Sequence, residues 1–421
     1  MTYLTTGPFR PAAVAVALAA ILTSPSYADS DQPLDLHEAV SIAMDANDPT
    51  VQRFTERAAA LEDRAVADSQ LPDPQLRFGL ANWPVDSFDF EQEPMTQIQV
   101  GLRQQFPSGS TRSLTGDRRR AEAREQIFGK RLQELQIALD VRNTWLELYY
   151  WLGARDSVEE SREAVAELVE VIEAQFATGL QSNQDLLRAE LELSLVDDRA
   201  VDVDRQIETL RADLFRLVGA PASRPLPDIL PVLPVPPVQD TLVEGLVGHP
   251  AVKIEDARIT AQNRDIDLAN EQYKPAWSLD AGYGVRGGGR ADFASLMVVV
   301  DLPFFTANRQ DKRVAAATRN REAARFDRSA KLLEMKRVAD RTRAEWHRLS
   351  DRIDLYEDVV INRAGANAEA ALDGYQNRVA DFAELVRSRL AEIEAALKLR
   401  RLKVDHAKAQ ARLLFLAGDA S

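Results

Sequence analysis

The residues through which this chain could do chemistry are few and scattered. It has four histidines, His37, His249, His347 and His406, and no cysteine. None of the histidines has a neighbour at the spacing of a metal site or a catalytic triad. Without cysteine there is no disulfide, no thiolate metal site and no N-terminal cysteine to carry lipid. Gly287-Gly288-Gly289 is not followed by the lysine and helix that a phosphate loop needs. Trp145, Tyr149, Tyr150 and Trp151 are spaced for a helix, which suits core packing or a belt near a membrane boundary better than a binding box. Arg118-Arg119-Arg120 and the acids Asp86, Asp89, Glu91 and Glu93 read as solvated surface. These patterns imply no enzyme, no resident metal and no cofactor.

Composition narrows the partners. A formal net charge of −14 argues against nucleic acid, which selects a basic footprint. Residues 1–28 read as a secretory signal peptide. Arg10 precedes the apolar run Ala12–Leu22, and Ser26-Tyr27-Ala28 supplies small residues before a cleavage point at Asp29. The run is too short to span a bilayer, and no later run approaches the ~20 residues a spanning helix requires.

Most of the mature chain reads as helix. Asp48 is a natural N-cap for a helix that begins at Pro49. No proline occurs between Pro107 and Pro221, and Arg112–Gln175 alone would make a helix of roughly 95 Å. Its end carries a seam of Val158, Val165, Leu168, Ile172 and Phe176. After Gly179 a second helix follows, with Leu186, Leu193, Val196, Ala200, Val203, Ile207, Leu210, Leu214 and Leu217 in three- and four-residue steps. That period predicts left-handed helix packing, with Phe176–Asp185 as the tip of an antiparallel hairpin. Two stretches break the helical pattern. Leu76, Phe78 and Leu80 alternate with polar residues, as do Ile98, Val100 and Leu102, which predicts strands over 75–83 and 96–106.

The same programme then recurs about 200 residues later. Gly248-His249-Pro250 answers Asn47-Asp48-Pro49, Asp301-Leu302-Pro303 answers Gln105-Phe106-Pro107, and Leu416-Ala417-Gly418 answers Leu217-Val218-Gly219. Strands are expected over 277–285 and 294–303. A helix from near Asn308 turns at Tyr375–Phe382 and returns through Val386, Leu390, Ile393, Leu397, Val404, Ala407, Ala411 and Leu414, interrupted by Arg400. The expected organisation is a first repeat over 29–218, a polyproline-like linker over 219–240, and a second repeat over 241–421.

Four strands of about nine residues have the length of tilted membrane strands, yet single-chain barrels need about eight strands or more. An edge left open in lipid would expose unpaired N–H and C=O groups at several kcal/mol each. Either the strands lie outside a membrane or several chains share one barrel, and three chains would supply twelve strands.

The duplicated helix–strand–strand–helix–turn–helix unit, the signal peptide and the proline-rich join resemble the TolC-like outer-membrane factor family over nearly the whole mature chain. The tip Phe176-Ala177-Thr178-Gly179-Leu180-Gln181-Ser182-Asn183-Gln184-Asp185-Leu186-Leu187-Arg188-Ala189-Glu190 is similar to a stretch of that family. The second tip departs from it, with Arg378 at the glycine position and Asp381 at the serine position. The segment from Leu71 to Pro107 is similar to the branch that serves heavy-metal cation efflux. The resemblance implies a mostly α fold with a membrane β-barrel portion. A homotrimer would form a twelve-stranded barrel in outer-membrane lipid, continuous with a tunnel of coiled-coil helices across the periplasm. It also implies two protein partners, a periplasmic adaptor and an inner-membrane efflux transporter of the resistance-nodulation-division type. Within that picture Gly179, Ser182, Leu186, Arg378 and Asp381 are expected to dock the adaptor, and Asp185, Asp381 and Glu384 are candidates for an acidic periplasmic entrance.

Three other functions compete. A duct for drugs or for type I protein secretion would look much the same. A periplasmic adaptor should have one hairpin followed by compact β-domains, and a coiled-coil scaffold has no need of membrane-length strands.

Overall fold

The computed structural model describes residues 32–419 apart from Arg378; the expected signal peptide lies outside them. Two short helices lead in, α1 (Leu36–Asp45) and α2 (Pro49–Ala67), followed by strands β1 (Gln75–Ala81) and β2 (Gln97–Phe106). Helix α3 (Thr111–Ala177) and helix α4 (Asn183–Val218) make the first hairpin. Helices α5 (Gln239–Gly245) and α6 (Pro250–Glu271) then lead to β3 (Ala276–Arg286) and β4 (Phe293–Asp301). The second hairpin is α7 (Gln310–Leu355), α8 (Ile361–Gln376) and α9 (Phe382–Ala417). Gln310–Gln376 is as long, residue for residue, as α3, and α4 and α9 each have 36 residues.

The sequence seam packs largely as its period requires. Val158, Val165 and Ile172 of α3 are buried with Ala189, Val196, Val203 and Ile207 of α4. Phe176, one residue from the end of the helix, departs from it and lies 41% exposed. Arg400, which interrupts the α9 seam, lies against Gly153 of α3, in the space a side chain there would occupy. Its guanidinium also sits over the Tyr149 ring, 5.7 Å from the centroid. Nearby, Glu147 of α3 binds Arg401 at 2.7 Å and Lys408 of α9. Burial pushes the Glu147 carboxyl up, but its hydrogen bonds to Lys408 and Arg401 outweigh burial and hold it below the usual range.

The main core lies around the middle of α3. Trp145 is fully buried there and donates its indole N–H to the Leu34 carbonyl at 2.9 Å. Tyr149, Tyr150 and Trp151 pack partly buried against the same cluster. This group lies about 50 Å along α3 from the strands, too far to form a belt around them, and core packing accounts for it. The aromatic residues at the helix–sheet junction are others. Phe106 stacks on Trp277 with ring centroids 4.0 Å apart, and Phe304 and Phe305, just beyond the end of β4, are exposed.

The expected polyproline linker contains a 3-10 turn, Ala220–Ser223, and α5 begins at Gln239, within its last residues. Proline has no N–H to place in a ladder, so the connector's carbonyls take side-chain donors instead. Tyr149 donates to Asp228 O at 2.9 Å, Gln410 to Leu233 O at 2.9 Å, and Arg343 to Pro237 O. The connector is therefore pinned to α3, α7 and α9. A second departure is a π-helical turn, Tyr356–Val360, between α7 and α8.

The four strands form one antiparallel sheet in the order β1-β2-β3-β4. Their observed limits differ from the expected ones by one or two residues at most ends. β2 pairs with β3, from Gln97 opposite Arg286 to Phe106 opposite Trp277, and so joins the two halves. Both outer edges, on β1 and β4, are unpaired.

Candidate functional site

Pairing fixes which side chains share a face of the sheet. Leu76, Phe78 and Leu80 fall with Ile98, Val100 and Leu102, with Trp277, Tyr283 and Val285, and with Leu296, Val298 and Val300. All twelve are exposed, and Phe78 is 74% accessible. A continuous apolar face of this extent marks a surface meant for lipid or protein. The opposite face carries Arg77, Gln97, Gln99, Arg103, Asp280 and Ser295, with Gly79, Gly101, Gly282 and Gly284 between them. β4 breaks the alternation, since Met297 and Val299 fall on this polar face. Among the described residues no helix is long and apolar enough to cross a membrane.

Beyond the sheet the two loops lock together. Gly288 N–H donates to Glu91 Oε1 at 3.2 Å, and Arg286 donates to Pro94 O at 3.2 Å. The acidic loop is thus structurally engaged through Glu91.

The helical tips lie at the far end. At the first, Gly179 has φ of +73° and donates to Phe176 O at 2.9 Å, while Leu180 N–H reaches Gln175 O at 2.9 Å. This is a Schellman close, which glycine adopts without a Cβ penalty. The return helix starts with a capping box. Ser182 Oγ accepts from Asp185 N–H at 3.2 Å, and Asp185 Oδ2 accepts from Ser182 N–H at 3.3 Å. Leu186 packs, partly buried, against Val169, Ile172 and Ala189. At the second tip Val379 N–H donates to Gly374 O at 2.8 Å, and Asp381 Oδ1 caps α9 by accepting from Glu384 N–H at 2.8 Å. Glu384 pairs with Arg387 at 3.1 Å. Arg378 lies outside the described residues.

Gln175 of the first tip donates to the Tyr375 hydroxyl of the second at 3.2 Å. Between the hairpins lies a groove of about 580 Å³, lined among others by Asp185, Arg188, Ala189, Asp381, Val386 and Leu390. The structure therefore brings Asp185 and Asp381, 196 positions apart in the sequence, into one groove. Arginines accompany them there. Among the described residues no group of His, Asp and Glu side chains could hold a metal ion. Sequence reasoning missed three features: the aromatic junction, the loop lock and the inter-hairpin groove. The Phe304-Phe305 pair directly after Pro303 was the one usable signal.

No protein-family model matches the chain, and no curated protein matches it in sequence. Solved structures do match it along most of its length. The outer membrane protein VceC from Vibrio cholerae is 17% identical with a TM-score of 0.74, over 91% of this chain and 96% of that one. The CmeC outer membrane channel of Campylobacter jejuni is 14% identical with a TM-score of 0.76, over 91% of this chain and 85% of that one. CusC, whose structures concern folding and transmembrane channel formation, is 14% identical with a TM-score of 0.74, over 91% and 92%. This chain therefore has the protomer fold of the TolC-like outer-membrane channels.

Proposed function

We propose that three copies of this chain share one twelve-stranded barrel in the outer membrane and form a passive exit duct, without catalysis of its own, that runs into the periplasm. One observation carries the reading. A four-stranded sheet with an exposed apolar face and two open edges is fixed to helices about 100 Å long by rise per residue. Lipid does not tolerate such edges, and pairing β4 of one copy with β1 of the next removes them all. Fractionation with native mass measurement tests this. A trimer in the outer membrane is expected, and a soluble or inner-membrane monomer would overturn it.

The tips then lie in the periplasm, where the groove between Asp185 and Asp381 receives a periplasmic adaptor that links the duct to an inner-membrane transporter of the resistance-nodulation-division type. Gly179, Ser182 and Leu186 hold the shape of the first tip for that contact. Heavy-metal cations are the cargo. Support for this comes from the wording of the first strand pair, and the arms of the test are metals against drugs. A deletion strain that becomes sensitive to drugs, with unchanged tolerance of copper, silver, zinc, cobalt and cadmium, excludes the metal reading.

Asp381 and Glu384, repeated around a threefold axis, make an entrance that attracts cations. Arg387 offsets part of that charge. Asp381→Asn with Glu384→Gln should reduce cation selectivity in single-channel recordings, and unchanged selectivity removes the ring.

A further inference from the structure

We infer that the barrel end of the duct carries a cationic girdle that selects for anions, opposite in sign to the acidic entrance. The inference rests on the trimeric-duct reading. On the polar face of the sheet, Arg77 Nη1 reaches Asp280 Oδ1 at 2.9 Å and Arg103 Nε reaches Asp280 Oδ2 at 3.0 Å. Two guanidinium groups thus share one carboxylate, and one positive charge per copy is left over. The sign is notable in a chain whose formal net charge is −14.

The lipid-facing side of such a barrel must be the apolar one, so the polar face lines the lumen. The remaining charges on that face of the strands lie near its ends. Arg286, at the loop end, is held by Ala291 O at 2.6 Å and by Pro94 O at 3.2 Å. Asp301, at the helical end, is paired in register with Ala276. Next to the girdle three glycines keep the wall low. Gly79, Gly101 and Gly282 floor a concavity of about 510 Å³ that is bordered by Arg77, Asp280 and Met297. No side chain rises from the three glycines to shield the guanidiniums, and the Arg77 side chain is 61% accessible. Threefold repetition would place six guanidiniums around three carboxylates. Rings of arginine select anions as rings of acids select cations, and field lines are focused inside a low-dielectric wall.

The girdle bears on cargo. It repels bare metal cations and favours small anions and anionic complexes, so metal would cross this level screened or complexed.

The test uses the full-length trimer in planar bilayers under a potassium chloride gradient, reading the anion-to-cation permeability ratio from the reversal potential. Arg77→Gln should shift the ratio towards cations by about twofold at low salt, and the shift should shrink as ionic strength rises and the screening length falls. Asp280→Asn should shift it the opposite way, and Arg77→Lys should leave it unchanged. A structural role alone would not give opposite shifts with preserved conductance. Pores whose ratio is unchanged in both Arg77→Gln and Asp280→Asn overturn the girdle and leave the duct standing. If the unaltered protein forms no pore, the duct reading and the girdle fall together.

Discussion

Helix α3 and the α7–α8 run are equal in length and occupy matching places in the two halves, yet their surroundings differ. α3 buries residues from Gly116 to Ile172, because α2, α4, α6 and α9 all pack on it. α7 buries only Gln310, Met335, Ala339, Thr342 and Leu349, and exposes Phe326 and Leu333. Duplication supplied two equivalent helices, but a protomer with one interior can enclose only one of them. The other lies at the surface of the protomer, and in the proposed trimer a neighbouring copy would meet it there. Trp145 and Trp346, near-matching positions in the two helices, show the same contrast. Trp145 is fully buried and its N–H is bonded to Leu34 O. Trp346 is partly exposed, sits between His347 and His406, and its N–H has no partner among the described residues.

The contrast is most easily broken at these tryptophans. Trp145→Ala should cost about 3–5 kcal/mol, the range for deleting a fully buried aromatic side chain, and should lower the melting temperature followed by circular dichroism. Trp346→Ala should cost less than half as much. Equal losses would mean that α7 is as enclosed as α3. Gly153→Val comes next. It fills the space that Arg400 occupies, and overpacking of this kind costs about 1–3 kcal/mol. Pairing it with Arg400→Ala should recover part of the loss in the same melts.

The sequence made legible what depends on neighbours along the chain: the proline-free helices, the alternating strands, the hairpin tips and their repetition. It hid what depends on residues far apart. Arg400 reads as a fault in its seam until Gly153, some 250 positions earlier, is set beside it. The prolines of the connector announce an extended chain, but not the Tyr149, Arg343 and Gln410 side chains that fix its path. Asp185 and Asp381 read as separate caps, which they are. Their shared groove appears only when the two hairpins are packed together. The π-helical turn at Tyr356–Val360 has no proline or glycine to mark it.

The caps at the entries to α2 and α6 offer a subtler comparison. Asp48 accepts from Thr50 N–H at 2.6 Å. His249 does the equivalent work from a buried position, accepting from Ala251 N–H at Nδ1, 3.2 Å, while Nε2 lies 3.1 Å from Phe415 O. This arrangement needs a neutral ring with the proton on Nε2, and burial lowers the His249 pKa from its usual 6.5 against the opposing bond to Phe415. The folded chain therefore binds this proton more weakly than the unfolded chain does. The contribution to stability is fully present above about pH 6.5 and is lost as the pH falls from there to the lower folded value. His249→Asn keeps an acceptor at the cap and should remove that part of the pH dependence of the melting temperature, with a change of about 1 kcal/mol or less at neutral pH. An unaltered slope between pH 5 and pH 7 would assign it to other groups.

The smallest effect on the melting temperature belongs to the tips. A Cβ at Gly179 would touch nothing within 4 Å, so Gly179→Ala introduces backbone strain without a clash. Holding alanine in the left-handed region costs about 1 kcal/mol. That cost should appear as faster hydrogen exchange at the Gly179 and Leu180 amides, whose partners are Phe176 O and Gln175 O. The melting temperature should barely move, because the core around Trp145 lies far up the helix. Gly179→Asn, which tolerates this region better, should restore slow exchange. The second tip makes the matching bond across its turn, Val379 N–H to Gly374 O, without a glycine at the corresponding position of the sequence. If Gly179→Ala leaves exchange at the first tip unchanged, the two tips have the same tolerance, and the turn does not account for the glycine.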